Sequence, residues 1–367
     1  MERASYAVAL LAVTCLIASV NVFAQSNIPS FLNDVEPDNT AWMPDNSGND
    51  GNPSPPAPVT PTPPTTPATP SPSAGSPPAS TGACPGDPGY QEPWDSTFWD
   101  NFNIVTNGTH VRVSADGDAC DMQLDADCSA VFGSKYQYFT GYFSAKLQLP
   151  CGNSSGTVFA FYTSSDGKMD DHDEIDIELL GNETSKHITM QTNIFINGVG
   201  DREMRHNLDW FDPCTSHHDY FIKWNSNIVV VGVDDIPLRV HMNNEKNGLP
   251  YFNKGQGLYV SYWDGSSWAT QGGRIKIDYA MNAPFIANLN GFHHMSACQV
   301  PSERDLGSCK YPAVAPCWDR PSDHYLTAKQ KTDFEWANNN FCIYDYCKDD
   351  QRFASTGKPA ECNIPLY

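Results

Sequence analysis

The sequence predicts an all-β fold, an antiparallel sandwich or a barrel, across most of the chain. Short runs of alternating apolar and polar residues recur between about residue 94 and residue 292, separated by Asn, Gly, Asp and Pro clusters. Asp234-Asp235 and Asn247-Gly248 have the composition of tight turns. No long segment has the apolar period of a helix, which favours layers of short strands. The predicted strands are residues 136–149, 157–162, 175–179, 187–196, 220–224, 228–233, 258–263 and 273–279.

Both ends of the chain differ from this central part. Residues 1–24 resemble a secretory signal peptide, because an apolar run precedes the small-x-small site Val22-Phe23-Ala24. A membrane anchor is the alternative, but the run is short for a span. Residues 25–83 are rich in Pro, Thr and Ser and predict a disordered, semi-rigid spacer. We expect the main domain at 84–292 and, at 293–367, an extension packed on it, with a short helix at 333–340.

Charge and cysteine content narrow the possible functions. The net charge of −21 argues against nucleic acid and acidic polymers as ligands, whereas a neutral polysaccharide raises no electrostatic objection. Twelve cysteines indicate an oxidising compartment, and eleven remain once Cys15 leaves with the signal peptide. Cys214-x-x-His217 and Cys342-x4-Cys347 are incomplete as zinc sites. We therefore expect no metal, no other cofactor, no membrane contact and a monomer.

The segment from Asp173 to Glu178 carries the strongest functional signal. Glu174, Asp176 and Glu178 alternate with aliphatic residues, so the three carboxyl groups share one face of a half-buried strand. Like charges side by side on a strand are destabilising, so stability alone does not explain them. A solvated strand face is the alternative. The pattern favours chemistry on a sugar, which needs one carboxylate and one carboxylic acid.

The spacing of the acids fits a retaining glycosidase. Backbones four residues apart on a strand are separated by roughly 13 Å. The side chains of Glu174 and Glu178 can lean together to the roughly 5–5.5 Å between carboxyl groups that retaining enzymes require. Asp176 lies between them and is too short to span the gap. We expect it to hydrogen-bond Glu174 and to tune its charge.

Residues 172–182, which read HDEIDIELLGN, resemble the signature of the xyloglucan endotransglucosylase/hydrolases of glycoside hydrolase family 16. The resemblance covers roughly residues 93–367. The chain departs from the family pattern at Ile177 and Leu179, where Phe is usual, and in its Pro-rich spacer, which could tether the enzyme in the wall. Further segments follow in family order: residues 152–158, 191–195, 210–213, 233–240, 268–273, 283–285, 344–347, 352–353 and 361–362.

The resemblance implies a β-jelly-roll sandwich with a concave substrate cleft, and a secreted cell-wall enzyme with retaining chemistry. It makes Glu174 the nucleophile, Glu178 the general acid/base and Asp176 an assisting residue. Xyloglucan is the default donor and acceptor, with mixed-linkage glucan and cellulose as alternatives. Water in place of the acceptor sugar gives hydrolysis. The competing functions are a hydrolase of the same glucans, a wall glucan/chitin transglycosylase and a non-catalytic polysaccharide-binding protein.

The resemblance also implies a set of substrate-binding residues. Core packing is the alternative for the two Trp residues, and a surface ion pair for Arg352. His172 either tunes the acids or is structural, and a cation site at Asp170, Asp171 and Asp173 lacks calcium-loop spacing. The binding residues are Tyr162, Gln191 and Asn193 on the donor side, Trp263, Trp268 and Gly273 on the acceptor side, and Tyr344 with Arg352 at a far acceptor subsite.

Glycans and disulfides complete the predictions. Sequons occur at Asn107, Asn153 and Asn182, and the turn expected after Gly181 favours glycosylation at Asn182. The resemblance implies the disulfides Cys298–Cys309 and Cys347–Cys362. Cys120–Cys128 and Cys151–Cys214 are further possible pairs without a recognised family counterpart.

Overall fold

The computed structural model describes residues 97–106, 108–165, 170–292, 296–306 and 318–366. The predicted signal peptide, the spacer, Asn107 and Cys309 lie outside these residues. Within them, the regular secondary structure is mostly antiparallel β-sheet. The strands are β1 Phe102–Ile104, β2 Val111–Val113, β3 Ala119–Leu124, β4 Ala130–Gln148, β5 Thr157–Ser164, β6 Glu174–Leu180, β7 Thr189–Phe195, β8 Met204–Asn207, β9 His218–Trp224, β10 Ile228–Val233, β11 Ile236–Met242, β12 Gln256–Asp264, β13 Phe285–Asn290, β14 Ser296–Val300 and β15 Cys342–Asp345.

Helices are few and mostly short. The described α-helices are α1 Phe98–Asn101, α2 Tyr279–Asn282 and α3 Ala328–Phe341, and 3₁₀ turns occupy Glu245–Asn247, Thr270–Gly273, Pro321–Asp323, Tyr346–Lys348 and Ala360–Asn363. The prediction of a strand at 273–279 is wrong. Gly272 and Gly273 both have positive φ, and Asp278 caps α2 by accepting a hydrogen bond from the Met281 amide. Turn and cap chemistry overrides the alternating pattern there.

Strand β4 joins the two layers of the fold. It is far longer than the usual five or six residues because most of its partners differ between its two halves. Residues up to Tyr138 pair with β12 and β1, whereas those from Gly141 pair with β9 and β13. Among the described strands, β14 alone pairs with residues on both sides of this point. Thr140 lies between the halves with φ 64°, and its hydroxyl accepts a hydrogen bond from the Trp318 indole. The strand therefore turns from one layer into the other at this residue.

The core lies between the layers and fixes the direction of the β6 side chains. Ile175, Ile177 and Leu179 pack in one apolar cluster with Trp224 of β9 and Val231 of β10, which belong to the opposite layer. The acids of β6 consequently lie on the other face of their sheet, whose strand order is β4-β12-β5-β6-β7-β8-β15. This face is called the acid face below. The arrangement is an antiparallel β-jelly-roll sandwich, as the sequence predicts.

The C-terminal segment packs on both layers. The Thr327 hydroxyl and Gln330 form a capping box at the start of α3, which explains why the helix begins earlier than the predicted 333–340. Phe334 of α3 packs against Phe221 and Val230, and β15 adds an edge strand to the acid-face sheet by pairing with β8. Among the described residues, no helix has the length and hydropathy needed to span a bilayer.

The cysteine pairs are partly those predicted. Cys347–Cys362 and Cys151–Cys214 are disulfides, which confirms both pairs. The Cys120–Cys128 pair is wrong, because Cys120 is a free thiol on the core face of β3, sealed among apolar side chains. Cys128 is itself disulfide-bonded, as is Cys298, whose predicted partner Cys309 is outside the described residues.

Candidate active site

The three acids of β6 project side by side from the centre of the acid face. Glu174 is 1% exposed and Asp176 is 7% exposed, while Glu178 is half-buried. On one side, β5 places Ser164, Tyr162 and Ala160 opposite them. On the other side, β7 places Phe195, Asn193 and Gln191 opposite them. Buried carboxyl groups this close cannot all carry charge at low cost, so their protonation states differ.

Asp176 is the acid whose charge is most disfavoured. Burial raises its pKa well above the usual range, and the charges of Glu174 and Glu178 and a hydrogen bond with Glu174 raise it further. The buried guanidinium of Arg239 acts in the opposite direction. A protonated Asp176 can donate its hydrogen bond to an ionised Glu174. The expected contact between the two side chains is therefore present, and it favours charge on Glu174.

Glu178 has the properties of a proton donor near neutral pH. Burial raises its pKa to about 7, the Glu174 charge adds to this, and Gln191 and Arg205 oppose it. The Gln191 Nε2 donates to Glu178 Oε2 over 2.6 Å, and the Arg205 Nε donates to Gln191 Oε1 over 2.7 Å. A carboxyl group with a pKa in this range can give up and regain a proton without a large free-energy cost.

The residues before β6 are held by buried polar contacts. Asp173 is fully buried and accepts hydrogen bonds from the Asn197 and Asn253 amides, and its Oδ1 lies 3.2 Å from the Lys254 Nζ. The His172 Nε2 lies 4.0 Å from Glu174 Oε2, and its ring packs on Phe195. These contacts fix the end of the strand at which Glu174 stands.

The aspartates upstream of β6 have cationic side chains as partners. Asp171 pairs with Arg304 over 2.6 Å and with Lys254 over 3.4 Å, and Asp173 pairs with the same lysine. The described residues contain no cluster of three or more His, Cys, Asp or Glu arranged to hold a metal ion.

The predicted donor-side residues lie beside the acids. Asn193 stands opposite Asp176, and its Oδ1 accepts hydrogen bonds from the Ile194 and Arg202 amides. Tyr162 stands opposite Asp176 on the other side and stacks on Tyr259 of β12, with ring centroids 5.5 Å apart. A half-buried aromatic pair of this kind presents a flat apolar surface on which a sugar ring can stack.

The predicted acceptor-side residues divide into packed and accessible side chains. Trp263 is 5% exposed and packs with Val158 and Leu180, as the core-packing alternative expects. Trp268 is half-buried and borders this cluster, with its ring centroid 6.2 Å from that of Trp263. Gly273 has φ +81°, and a Cβ there would lie 2.3 Å from the Ser267 carbonyl oxygen, so glycine is required by the backbone.

Tyr344 and Arg352 meet at the far edge of the acid face. The Arg352 guanidinium donates to the Tyr344 hydroxyl over 3.0 Å and forms ion pairs with Glu203 at 2.6 Å and Asp201 at 2.7 Å. The ion-pair alternative for Arg352 is therefore supported.

Comparison with known proteins decides the family. The model of glycosyl hydrolases family 16 matches residues 98–281, and that of the xyloglucan endo-transglycosylase C-terminus matches residues 314–362. A probable xyloglucan endotransglucosylase/hydrolase protein of Nicotiana tabacum is 38% identical over 276 residues, which cover 75% of this chain and 91% of the tobacco protein.

The chain belongs to the xyloglucan endotransglucosylase/hydrolase family. Xyloglucan endotransglucosylase protein 6 of Diospyros kaki is a further relative, 43% identical over 254 residues, covering 67% of this chain and 82% of that protein. Among solved structures, the Bacillus licheniformis β-glucanase is 22% identical with a TM-score of 0.41, covering 52% of this chain and 89% of the glucanase.

In this member of the xyloglucan endotransglucosylase/hydrolase family, the described sequons lie on the surface. Asn182 follows β6, where its Nδ2 donates to the His187 carbonyl oxygen and its Oδ1 accepts from the Glu183 amide. Asn153 is exposed, and its Oδ1 accepts from the Ser155 amide. Glycosylation at either position stays a prediction.

Sequence reasoning missed several side chains that act on the acids. Arg239 is 1% exposed, and its Nη1 donates to the Thr192 and Arg202 carbonyl oxygens. Arg205 and Tyr259 stand on the acid face itself. Their positions depend on the pairing register between strands, and alternation within one strand does not specify that register.

Proposed function

We propose that this protein is a retaining transglycosylase that cleaves and religates β-1,4-glucan backbones, with xyloglucan as donor and acceptor. The observation that carries the proposal is the pairing of two unlike carboxyl groups on one strand face. Glu174 is buried and hydrogen-bonded to Asp176, and burial raises the Glu178 pKa to about 7. Family membership and the xyloglucan endotransglucosylase names of the relatives support the substrate.

In the first half-reaction, Glu174 is the nucleophile. Its carboxylate attacks the anomeric carbon of the donor, a C–O bond to Glu174 forms, and the bond to the leaving chain breaks. Glu178 gives its proton to the departing oxygen, so the leaving chain departs as a neutral alcohol. Asp176 assists by donating its hydrogen bond to Glu174 until the ester forms.

In the second half-reaction, Glu178 acts as the base. Esterification removes the Glu174 charge, which is one of the causes that raise the Glu178 pKa, so that pKa falls and the carboxylate persists. Glu178 accepts the proton of an acceptor hydroxyl, whose oxygen attacks the anomeric carbon and displaces Glu174. A sugar hydroxyl gives religation, and water gives hydrolysis.

The remaining acid-face residues supply the subsites in this proposal. Gln191, Asn193 and Tyr162 bind the donor, and their places next to the acids support that role. Trp268 and the backbone around Gly273 bind the acceptor, with Trp263 packed behind Trp268. Tyr344 extends the acceptor side, and Arg352 holds it there through their hydrogen bond.

We extend the proposal to the organisation of the chain. A signal peptide at 1–24 directs secretion to the cell wall, a spacer at 25–83 follows, and the catalytic domain at 84–292 carries the extension at 293–367. The ranges matched by the two family models, 98–281 and 314–362, fall within the catalytic domain and the extension respectively and support this division. The protein acts as a monomer on neutral polysaccharide and needs no cofactor.

The test is product analysis with polymeric xyloglucan and a fluorescent xyloglucan oligosaccharide. The wild type is expected to move label into polymer, and Glu174→Ala to abolish that transfer. Glu183→Ala is the matched control, because this carboxyl group lies exposed on the turn after β6 and should leave transfer intact. New reducing ends without labelled polymer would make the protein a hydrolase.

If xyloglucan does not react, the same assay with mixed-linkage glucan, cellulose and chitin tests the alternative donors. Reaction with one of these reassigns the substrate and keeps the mechanism. Failure with all four donors, together with retained binding to one of them, would overturn the catalytic proposal in favour of a polysaccharide-binding protein.

A further inference from the structure

Four side chains form a continuous row across the acid face, one from each of four adjacent strands. Glu178 of β6 stands opposite Gln191 of β7, Gln191 opposite Arg205 of β8, and Arg205 opposite Tyr344 of β15. The row starts at the proposed acid/base and ends in the C-terminal extension. Each neighbouring pair within it is also in direct contact.

The two hydrogen bonds in the row run in the same direction, from Arg205 through Gln191 to Glu178. The Arg205 Nε donates to Gln191 Oε1 over 2.7 Å, and Gln191 Nε2 donates to Glu178 Oε2 over 2.6 Å. A guanidinium group has donors and no acceptor, so only the oxygen of the Gln191 amide can face Arg205. The NH₂ group of the same amide must then face Glu178. The Arg205 side chain thus determines which end of Gln191 the acid meets.

We propose that Arg205 is a positioning residue that locks the Gln191 amide, so that Glu178 Oε2 always accepts a hydrogen bond and the catalytic proton resides on Oε1. Because Oε2 is occupied by a donor, a proton on that oxygen would meet the N–H group of Gln191. The proton is thereby restricted to the oxygen left free for the leaving group. This inference rests on the proposed function, in which Glu178 is the acid/base.

The opposite amide orientation would impair both half-reactions. With its oxygen toward Glu178, Gln191 would accept the carboxylic proton at Oε2 and hold it away from the substrate. In the second half-reaction, the Glu178 carboxylate would face a carbonyl oxygen instead of an N–H donor, which destabilises the charged form. Arg205 prevents this orientation because turning the amide would place its NH₂ group against a guanidinium donor.

The C-terminal extension holds Arg205 in place. The Arg205 guanidinium lies 5.7 Å from the centre of the Tyr344 ring, a distance at which a cation and an aromatic face attract. The Tyr344 hydroxyl is fixed in turn by Asp349 and by Arg352, which is paired with Glu203 and Asp201. Tyr344 therefore supports the positioning of Glu178 from three strands away.

Several charged groups face Glu178 and shift its pKa. Glu174 and Glu203 raise its pKa, whereas Arg205 and the Gln191 hydrogen bond lower it. Asp176 stands on the same strand face, and Tyr162 of β5 interacts with all three acids. Removal of Arg205 subtracts a positive charge and releases the Gln191 donor, so both changes raise the Glu178 pKa.

The experiment compares Arg205→Met, Arg205→Lys, Gln191→Leu and the double variant Arg205→Met/Gln191→Leu in the xyloglucan transfer assay across pH. Arg205→Met is expected to lower kcat by roughly tenfold to a hundredfold and to move the basic limb of the profile upward by about one pH unit. Arg205→Lys keeps a donor for Gln191 Oε1 and should restore most of kcat. The double variant should be no slower than Gln191→Leu, because Arg205 acts through Gln191.

A role in sugar binding alone would overturn the proposal. In Arg205→Met, such a role would raise KM and leave kcat and the basic limb of the pH profile unchanged. In the double variant, the losses of activity caused by the two single substitutions would multiply. A titration of ¹³C-carboxyl-labelled glutamate by NMR, with Glu178→Gln for assignment, follows the Glu178 pKa without any substrate. An unchanged Glu178 pKa in Arg205→Met also overturns the inference, whereas an inactive wild type with a shifted pKa would overturn only the proposed function.

Discussion

At the residue scale, Glu178 is held between opposing influences on its charge. Burial raises its pKa to about 7, whereas the Gln191 hydrogen bond and Arg205 favour the ionised form. An unfolded chain titrates the same group near 4.5. Because the folded state binds more protons between these two values, the contribution of Glu178 to stability falls as the pH rises through that window.

Replacement of Glu178 by Gln is expected to separate stability from activity. Transfer should fall by roughly 10²–10⁴-fold, because the leaving group loses its proton donor. At pH 8 the variant should be more stable than the wild type, by on the order of 2 kcal/mol after solvent screening, because a half-buried charge has been removed. Thermal unfolding at pH 8 and pH 5 checks this. If the variant were more stable by the same amount at pH 5 and at pH 8, removal of the Glu178 charge could not be the cause, since Glu178 is already protonated at pH 5.

The acids themselves could be predicted from the sequence, and the residues that tune them could not. Alternation over one strand places Glu174, Asp176 and Glu178 on a common face wherever the strand pairs. Arg202 and Arg205 are only three residues apart, yet Arg205 contacts Gln191 on the acid face while Arg202 pairs with Glu361. The start of β8 and its register against β7 decide between these two positions.

At the scale of elements, the tight turn at Asp234-Asp235 is predicted correctly, whereas the strand β11 that follows it is not, and the turn sequence is not optimal. Asp234 and Asp235 both have positive φ, as a two-residue hairpin turn requires. Asp234 uses its carboxylate to accept hydrogen bonds from His218 and the Asp219 amide, whereas Asp235 is exposed. Glycine in place of Asp235 would relieve the backbone strain of a positive φ. It would also remove one of the three neighbouring negative charges, which are those of Asp219, Asp234 and Asp235.

Asp235→Gly is therefore expected to stabilise the protein by about 0.5–1 kcal/mol. Chemical denaturation at pH 7 measures the change. Asp234→Gly is the control and should destabilise, because the His218 and Asp219 contacts are lost. Stabilisation by both variants would show that charge, and not the turn geometry, dominates this hairpin.

The Cys347–Cys362 disulfide anchors the segment after β15. It closes a loop with a sequence separation of 15 residues, for which the chain-entropy estimate is about 3 kcal/mol. The double variant Cys347→Ala/Cys362→Ala should lose about that much free energy of unfolding. Cys342→Ala is the control, because this free thiol borders the same apolar cluster without being cross-linked. Equal losses in both variants would assign the effect to packing.

Failures of the strand prediction have local physical causes. Residues 273–279 alternate like a strand, but glycines with positive φ and the Asp278 cap form turns there. The predicted strand at 136–149 begins six residues later than β4 does. The first four residues of β4 are all buried, so the sequence there lacks the alternation of apolar and polar residues. Alternation identifies half-buried strands, and fully buried segments escape it.

At the scale of the whole molecule, buried acids and buried histidines give opposite pH dependences. Burial lowers the pKa of His206 to about 4 and that of His241 to about 3, so their contribution to stability is lost as the pH falls below about 6.5. The raised pKa values of Asp176 and Glu178 make their contribution fall as the pH rises. Between about pH 4.5 and 6.5 the two trends oppose each other.

The midpoint of thermal unfolding is thus expected to have a plateau between about pH 4.5 and 6.5 and to decline on both sides. The basic limb of the kcat/KM profile should lie near pH 7, where Glu178 of the substrate-free enzyme loses its proton. Unfolding scans and transfer rates over pH 3–9 test both expectations. A stability that rises steadily up to pH 8 would show that the two acids are solvated in solution.

Strand β15 also determines how the acid-face sheet ends. Without it, β8 would present a row of unpaired backbone N–H and C=O groups, which is a template for another chain. The pairing of Cys342, Tyr344 and Asp345 with β8 satisfies those groups and makes β15, a strand of only four residues, the new edge of the sheet. Short edge strands are one of the means by which proteins limit edge-to-edge self-association. The same segment that supports Arg205 therefore also ends the sheet. Loss of the C-terminal segment would endanger the solubility of the enzyme as well as its chemistry.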